Sequence, residues 1–81
     1  MKSKQSKDKT VSLDQIDTGM TVTIDHIDVG PGLKNRLAAM GLFTDQPICV
    51  MRNDRRGQVI VAVKDSRVVL GRGMSHKIFV H

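Results

Sequence analysis

G-P-G-L-K-N-R-L-A-A-M-G-L, residues 30–42, is the one stretch of this 81-residue chain that reads as a helix punctuated at both ends. Pro31 suits the first helical position, because its φ is already near the helical value and its missing N–H would have had no partner there. Gly41 suits the left-handed residue that ends a helix. Between them Leu33, Leu37 and Met40 recur at i, i+4 and i+7 and predict one apolar stripe, with Lys34, Asn35 and Arg36 turned away from it. A helix this short is not stable alone and must dock on something. The flanking sequence supplies it.

From Met20 the pattern has period two. Met20, Val22 and Ile24 are expected on one face and Thr21, Thr23 and Asp25 on the other, a half-buried strand. His26 and Ile27 invert the alternation, which predicts a bulge or strand end before the turn at Asp28 to Pro31. After the helix, F-T-D-Q-P reads as a turn and Ile48 to Met51 as a strand, and R-N-D-R-R-G at 52–57 reads as a hairpin tip. Q-V-I-V-A-V-K at 58–64 is β-branched and apolar on both faces, so it is expected to be a central strand. Asp65 to Arg67 is expected as a turn, Val68 to Leu70 as a short strand, Gly71 to His76 as a tight corner or single helical turn, and Lys77 to Val80 as a closing strand. Upstream, Ser12 followed by Gln15 has the form of a capping box opening one helical turn. About five short strands, one inserted α-helix over residues 32–41 and a short N-terminal helical turn predict a mainly β fold, a small bent β-barrel whose closure removes exposed edges.

Charge divides the chain. Lys2, Lys4, Lys7 and Lys9 against Asp8 give residues 1–10 a net +3 of the formal +5, leaving +2 on residues 11–81. The first ten residues hold almost no apolar side chain to offset the entropy of ordering, and are expected to be a disordered basic tail preceding one domain at 11–81. No apolar run approaches a membrane span, and the basic start is followed by V-S-L-D-Q-I-D rather than the apolar core of a secretory signal. The single cysteine, Cys49, fits a reducing, cytoplasmic setting.

The residues that could carry chemistry do not assemble into a reactive pattern. Gly30 and Gly32 do not complete a dinucleotide fingerprint, and Gly71 and Gly73 around Arg72 suit a tight corner. His26, His76, His81, Cys49 and the Asp residues have no metal-ligand spacing, so no cofactor is expected and ligand spacing does not support an Fe(II) contact. The chain has no Glu, and its Asp residues sit mainly at turns and caps; no enzyme activity is expected. Nucleic-acid binding is the competing class, because Arg52, Arg55, Arg56, Arg67, Arg72 and Lys77 could form a basic face on a small barrel. Against it, Phe43 and Phe79 are the only aromatic side chains on which bases could stack, and no nucleic-acid partner is expected.

The ordered series L-x-x-I-x-x-G at 13–19, G-P-G-L-K-N-R-L-A-A-M-G-L at 30–42 and D-S-R-V-V-L-G-R-G-M-S-H-K-I-F-V at 65–80 closely resembles the FeoA family, ferrous iron transport protein A. The resemblance implies an SH3-like small β-barrel. It also implies a cytosolic accessory of ferrous iron uptake that is peripheral to the membrane through its partner, the FeoB membrane GTPase transporter, and modulates that transporter's GTPase or gating. Asp45 stands where the family's turn usually carries a glycine, a substitution the left-handed region tolerates. A similar barrel forms the C-terminal domain of iron-dependent repressors, so a stand-alone relative of that domain is the alternative beside a nucleic-acid-binding barrel. The partner surface is expected at Lys34, Asn35 and Arg36 on the outward helix face, exposed Leu42 and Phe43 at its end, and Arg72 and Met74 on the later corner. The chain itself is expected as a monomer or weak homo-oligomer.

Overall fold

The computed structural model describes residues 10–55 and 57–81. Residues 1–9, which hold the lysine-rich start, and Arg56 lie outside the described residues. In chain order the elements are β1 (Val11–Ser12), a 3-10 turn (Leu13–Gln15), β2 (Thr21–Ile27), α1 (Pro31–Ala39), β3 (Pro47–Asn53), β4 (Val59–Val63), β5 (Ser66–Leu70), α2 (Arg72–Ser75) and β6 (Ile78–Val80). All pairings are antiparallel, in the order β1-β6-β2-β3-β4-β5.

The expected inversion in β2 is the bend of the sheet. Its first half pairs with β3, Val22 opposite Ile48, and its second half pairs with β6, Ile24 opposite Val80 and His26 opposite Phe79. The register shifts between Ile24 and His26, a bulge at Asp25. One extra residue turns Ile27 back to the inside, so Val22, Ile24 and Ile27 are all buried although the alternation breaks between them. The sheet wraps a single apolar cluster that runs from Leu13 through Ile48, Val50, Val59, Val61 and Val63 to Ile78 and Val80. β4 is paired on both sides, as its composition predicts.

Five details differ from the sequence reading. There are six strands rather than five, because Val11 and Ser12 pair with Val80 and Phe79. The sheet is not closed: among the described residues β5 has no neighbour beyond β4, so the SH3-like barrel keeps an open edge. Ser12 does not cap the turn; its hydroxyl donates to the Asp14 carboxylate instead. The turn after β4 is only Lys64 and Asp65, with Lys64 at φ 53, and Ser66 already belongs to β5. Met20 precedes β2 and is 53% exposed rather than inward.

Candidate functional site

α1 begins at Pro31, with Gly30 in extended conformation (φ -66, ψ 165) before it. It ends two residues earlier than its apolar pattern predicts, and the reason is in the hydrogen bonds. Leu42 N–H donates to Leu37 C=O and Gly41 N–H to Ala38 C=O, both at 2.9 Å, with Gly41 at φ 94. This is the paired-bond termination that satisfies the last carbonyls of a helix and folds the following apolar residue back onto it. Leu42 is therefore 0% exposed beside Leu37 at 2%. The expectation of an exposed Leu42 is corrected: it is core. It takes the place that the stripe assigned to Met40, which is 45% exposed.

Beyond Leu42 the chain emerges. Phe43 is 40% exposed, and with Thr44 it faces Lys34, Asn35 and Ala38 of α1 and Ile27 at the end of β2 across a groove of about 170 Å³. The Lys64 ammonium lies 5.8 Å from the centre of the Phe43 ring, within reach of a cation–π attraction. Asp45 adopts φ 73, the left-handed turn expected of it, and its N–H donates to Ile24 C=O at 2.8 Å, which anchors this loop to β2. The structure thus brings Lys34, Asn35 and Phe43 together. Arg36 is exposed on the same helix but does not line the groove, and α1 carries no acidic residue.

Arg72 and Met74 lie elsewhere, on α2. Arg72 lines a broad depression of about 490 Å³ with Gly73, His76 and Asp14, where the His76 ring nitrogen is 3.8 Å from the Asp14 carboxylate. Met74 is half-buried against the core. Sequence reasoning missed Asn53, which fastens this end of the molecule. Its side-chain amide donates to Asp14 C=O and Ile16 C=O, both at 2.8 Å, and its main-chain N–H donates to the Thr18 hydroxyl at 3.1 Å. A polar residue at the end of a strand carries no sequence signal that it bonds a segment more than thirty residues away.

The candidate ligands for a metal are dispersed. His26 stacks on Phe79, ring centres 4.7 Å apart, and its Nδ1 is 2.6 Å from the Asp25 carboxylate. His81 reaches the other Asp25 oxygen only at 4.0 Å. Cys49 is half-buried on β3, and among the described residues no three His, Cys, Asp or Glu side chains form a group able to hold a metal ion. The basic residues are also divided: Arg55 is ion-paired with Asp17, Arg52 and Arg67 sit on β3 and β5, Arg72 opens α2 and Lys77 follows it. No helix of the described residues is long and apolar enough to cross a membrane.

A family model described as the FeoA domain matches residues 11–81. A Methanocaldococcus jannaschii protein whose name places it in Fe(2+) transport is 39% identical over 62 residues, covering 76% of this chain and 74% of that one. Among solved structures, the crystal structure of an iron uptake regulatory protein, FeoA, superposes with a TM-score of 0.81 at 25% identity, over 89% of this chain and 96% of that one. A manganese-dependent transcriptional repressor superposes with a TM-score of 0.79 at 26% identity over 89% of this chain, but the match spans only 41% of the repressor.

Proposed function

The chain belongs to the FeoA family of ferrous iron transport, and from that premise we propose that it docks on the cytosolic face of the FeoB membrane GTPase transporter and modulates its GTPase or gating. The observation that carries this reading is the outward side of α1. It presents Lys34 and Arg36 with no acidic residue, next to a groove walled by exposed Phe43. An apolar anchor site with Lys34 on its wall and Lys64 beside the Phe43 ring suits a protein partner that offers an apolar side chain among carboxylates. Nucleic acid is a poorer fit, because Phe79 is stacked on His26 and the chain has no Trp or Tyr, which leaves Phe43 as the one large aromatic ring outside that stack. The proposal assigns the chain a binding role and no catalytic one, as suits an accessory of a transport system.

The reading is tested in cells that depend on FeoB for iron. Lys34→Glu with Arg36→Glu, at wild-type protein level, is expected to lower ferrous iron uptake as far as deletion of the gene does. Uptake at the wild-type rate would place the docking surface elsewhere.

A further inference from the structure

We propose that the free edge of β5 pairs with the same edge of a second copy of this chain, giving an antiparallel dimer with its twofold axis at Val68. β4 and β5 are joined by the two-residue loop Lys64–Asp65, with Val63 opposite Ser66. A loop of that length is closed by a pair that exchanges both backbone hydrogen bonds, and bonded and non-bonded pairs then alternate along the hairpin. Val61 opposite Val68 and Val59 opposite Leu70 are the next bonded pairs, while Ala62 opposite Arg67 and Ile60 opposite Val69 are non-bonded. The N–H and C=O groups of Arg67 and Val69 therefore point away from β4, and among the described residues no strand receives them. The edge is regular over its five residues, without the bulge or proline that commonly guards one. Alongside it runs an open groove of about 330 Å³ lined by Met40 and Ser66 to Val69, with Val69 55% exposed and Met40 45% exposed.

A second copy fits this edge in both hydrogen bonding and charge. With the axis at Val68 all five residues overlap, and Arg67 and Val69 of each copy exchange hydrogen bonds with Val69 and Arg67 of the other. The two Val68 side chains meet as a non-bonded pair beside the Met40 side chains, and each Arg67 stem covers the other copy's exposed Val69. The same register sets exposed Asp65, just before β5, opposite Gly71 and next to exposed Arg72 of the other copy, and symmetry makes this contact twice. Moving the axis to Arg67 sets two guanidinium groups directly opposite one another, which disfavours that register. A strip of five residues is small beside permanent interfaces, so the dimer is weak and forms with rising concentration.

Sedimentation velocity of the full chain between about 10 µM and about 1 mM, the range of weak association, reads the equilibrium directly. A monomer–dimer transition is expected. Val69→Pro removes only a donor that faces away from β4, so it is expected to abolish the dimer with the melting temperature unchanged. Val69→Lys, which sets a second charge beside the other copy's Arg67, is expected to do the same. Asp65→Lys is expected to weaken the dimer about tenfold, and Asp65→Lys with Arg72→Asp to restore it. A monomer throughout the range, or a folded Val69→Pro or Val69→Lys chain that dimerises like wild type, overturns the proposal. So does an Asp65→Lys chain with an unchanged dissociation constant.

Discussion

Gly19 and Gly41 share the same positive φ, 94, in different surroundings, and together they measure what fixes the end of α1. A Cβ at Gly19 would meet nothing within 4 Å, whereas at Gly41 it would lie 3.3 Å from Cγ2 and 3.4 Å from Cγ1 of Val63. Alanine at a left-handed position costs roughly 1–2 kcal/mol, partly offset by about 0.5–1 kcal/mol because glycine loses more chain entropy on folding. Gly19→Ala is therefore expected to destabilise by about 0.5–1 kcal/mol. Gly41→Ala carries the same backbone cost and in addition pushes on Val63, which is 2% exposed and cannot step aside into solvent. Overpacking of that kind adds about 1–3 kcal/mol, so a total of about 1.5–4 kcal/mol is expected. Urea unfolding followed by circular dichroism measures both, and each kcal/mol corresponds to about 4–8 °C in melting temperature for a domain of this size. Truncating Val63 to alanine in both backgrounds should make Gly41→Ala cost no more than Gly19→Ala. Equal costs for the two glycine variants in the wild-type background would refute the contact with Val63, and a neutral Gly41→Ala would refute the left-handed termination itself.

The burial of Leu42 and the exposure of Phe43 should separate stability from binding: Leu42→Ala is expected to cost about 2–5 kcal/mol by denaturant unfolding, while Phe43→Ala costs below about 1 kcal/mol and weakens partner binding. Asn53→Ala leaves the Asp14 and Ile16 carbonyls without the side-chain amide and is expected to destabilise by about 1–3 kcal/mol. Amide hydrogen exchange should accelerate locally at Ile16 and Met20, whose N–H groups close the turns there. Asp45→Gly is expected to be neutral or to stabilise by up to about 1 kcal/mol, and Asp45→Val to destabilise by about 1–3 kcal/mol, since a β-branched residue does not accept φ 73.

What could be read from the sequence was local. Pro31, Gly41 and Asp45 declare a helix start, a helix end and a left-handed turn through their own backbone preferences, and the structure places each as expected. The inverted alternation at His26 and Ile27 announced the β2 bulge for the same reason. The errors concern what lies across the fold. Met40 and Leu42 both suit the inner side of α1, and the hydrogen bonds from Gly41 and Leu42 back into the helix decide between them. Val11 and Ser12 are too few to show a period, and become a strand because β6 offers an edge to them. Asn53 depends on a segment distant in sequence. Of the expected partner residues, the exposed helix face of Lys34, Asn35 and Arg36 was legible, because Leu33 and Leu37 take the side that faces the core. The separation of Arg72 and Met74 from that face was not, since it follows from how α2 is packed.

The central claim is that the outward face of α1, with Lys34, Arg36 and Phe43, is where this FeoA-family chain meets its transporter. Titration of the purified cytosolic GTPase region of FeoB with the wild-type chain and with Lys34→Glu/Arg36→Glu, both at the same melting temperature, tests it. The expected result is a measurable affinity for wild type that falls at least about tenfold in the variant, with Val69→Pro binding like wild type. Equal affinity of the charge-reversed and wild-type chains would contradict the account.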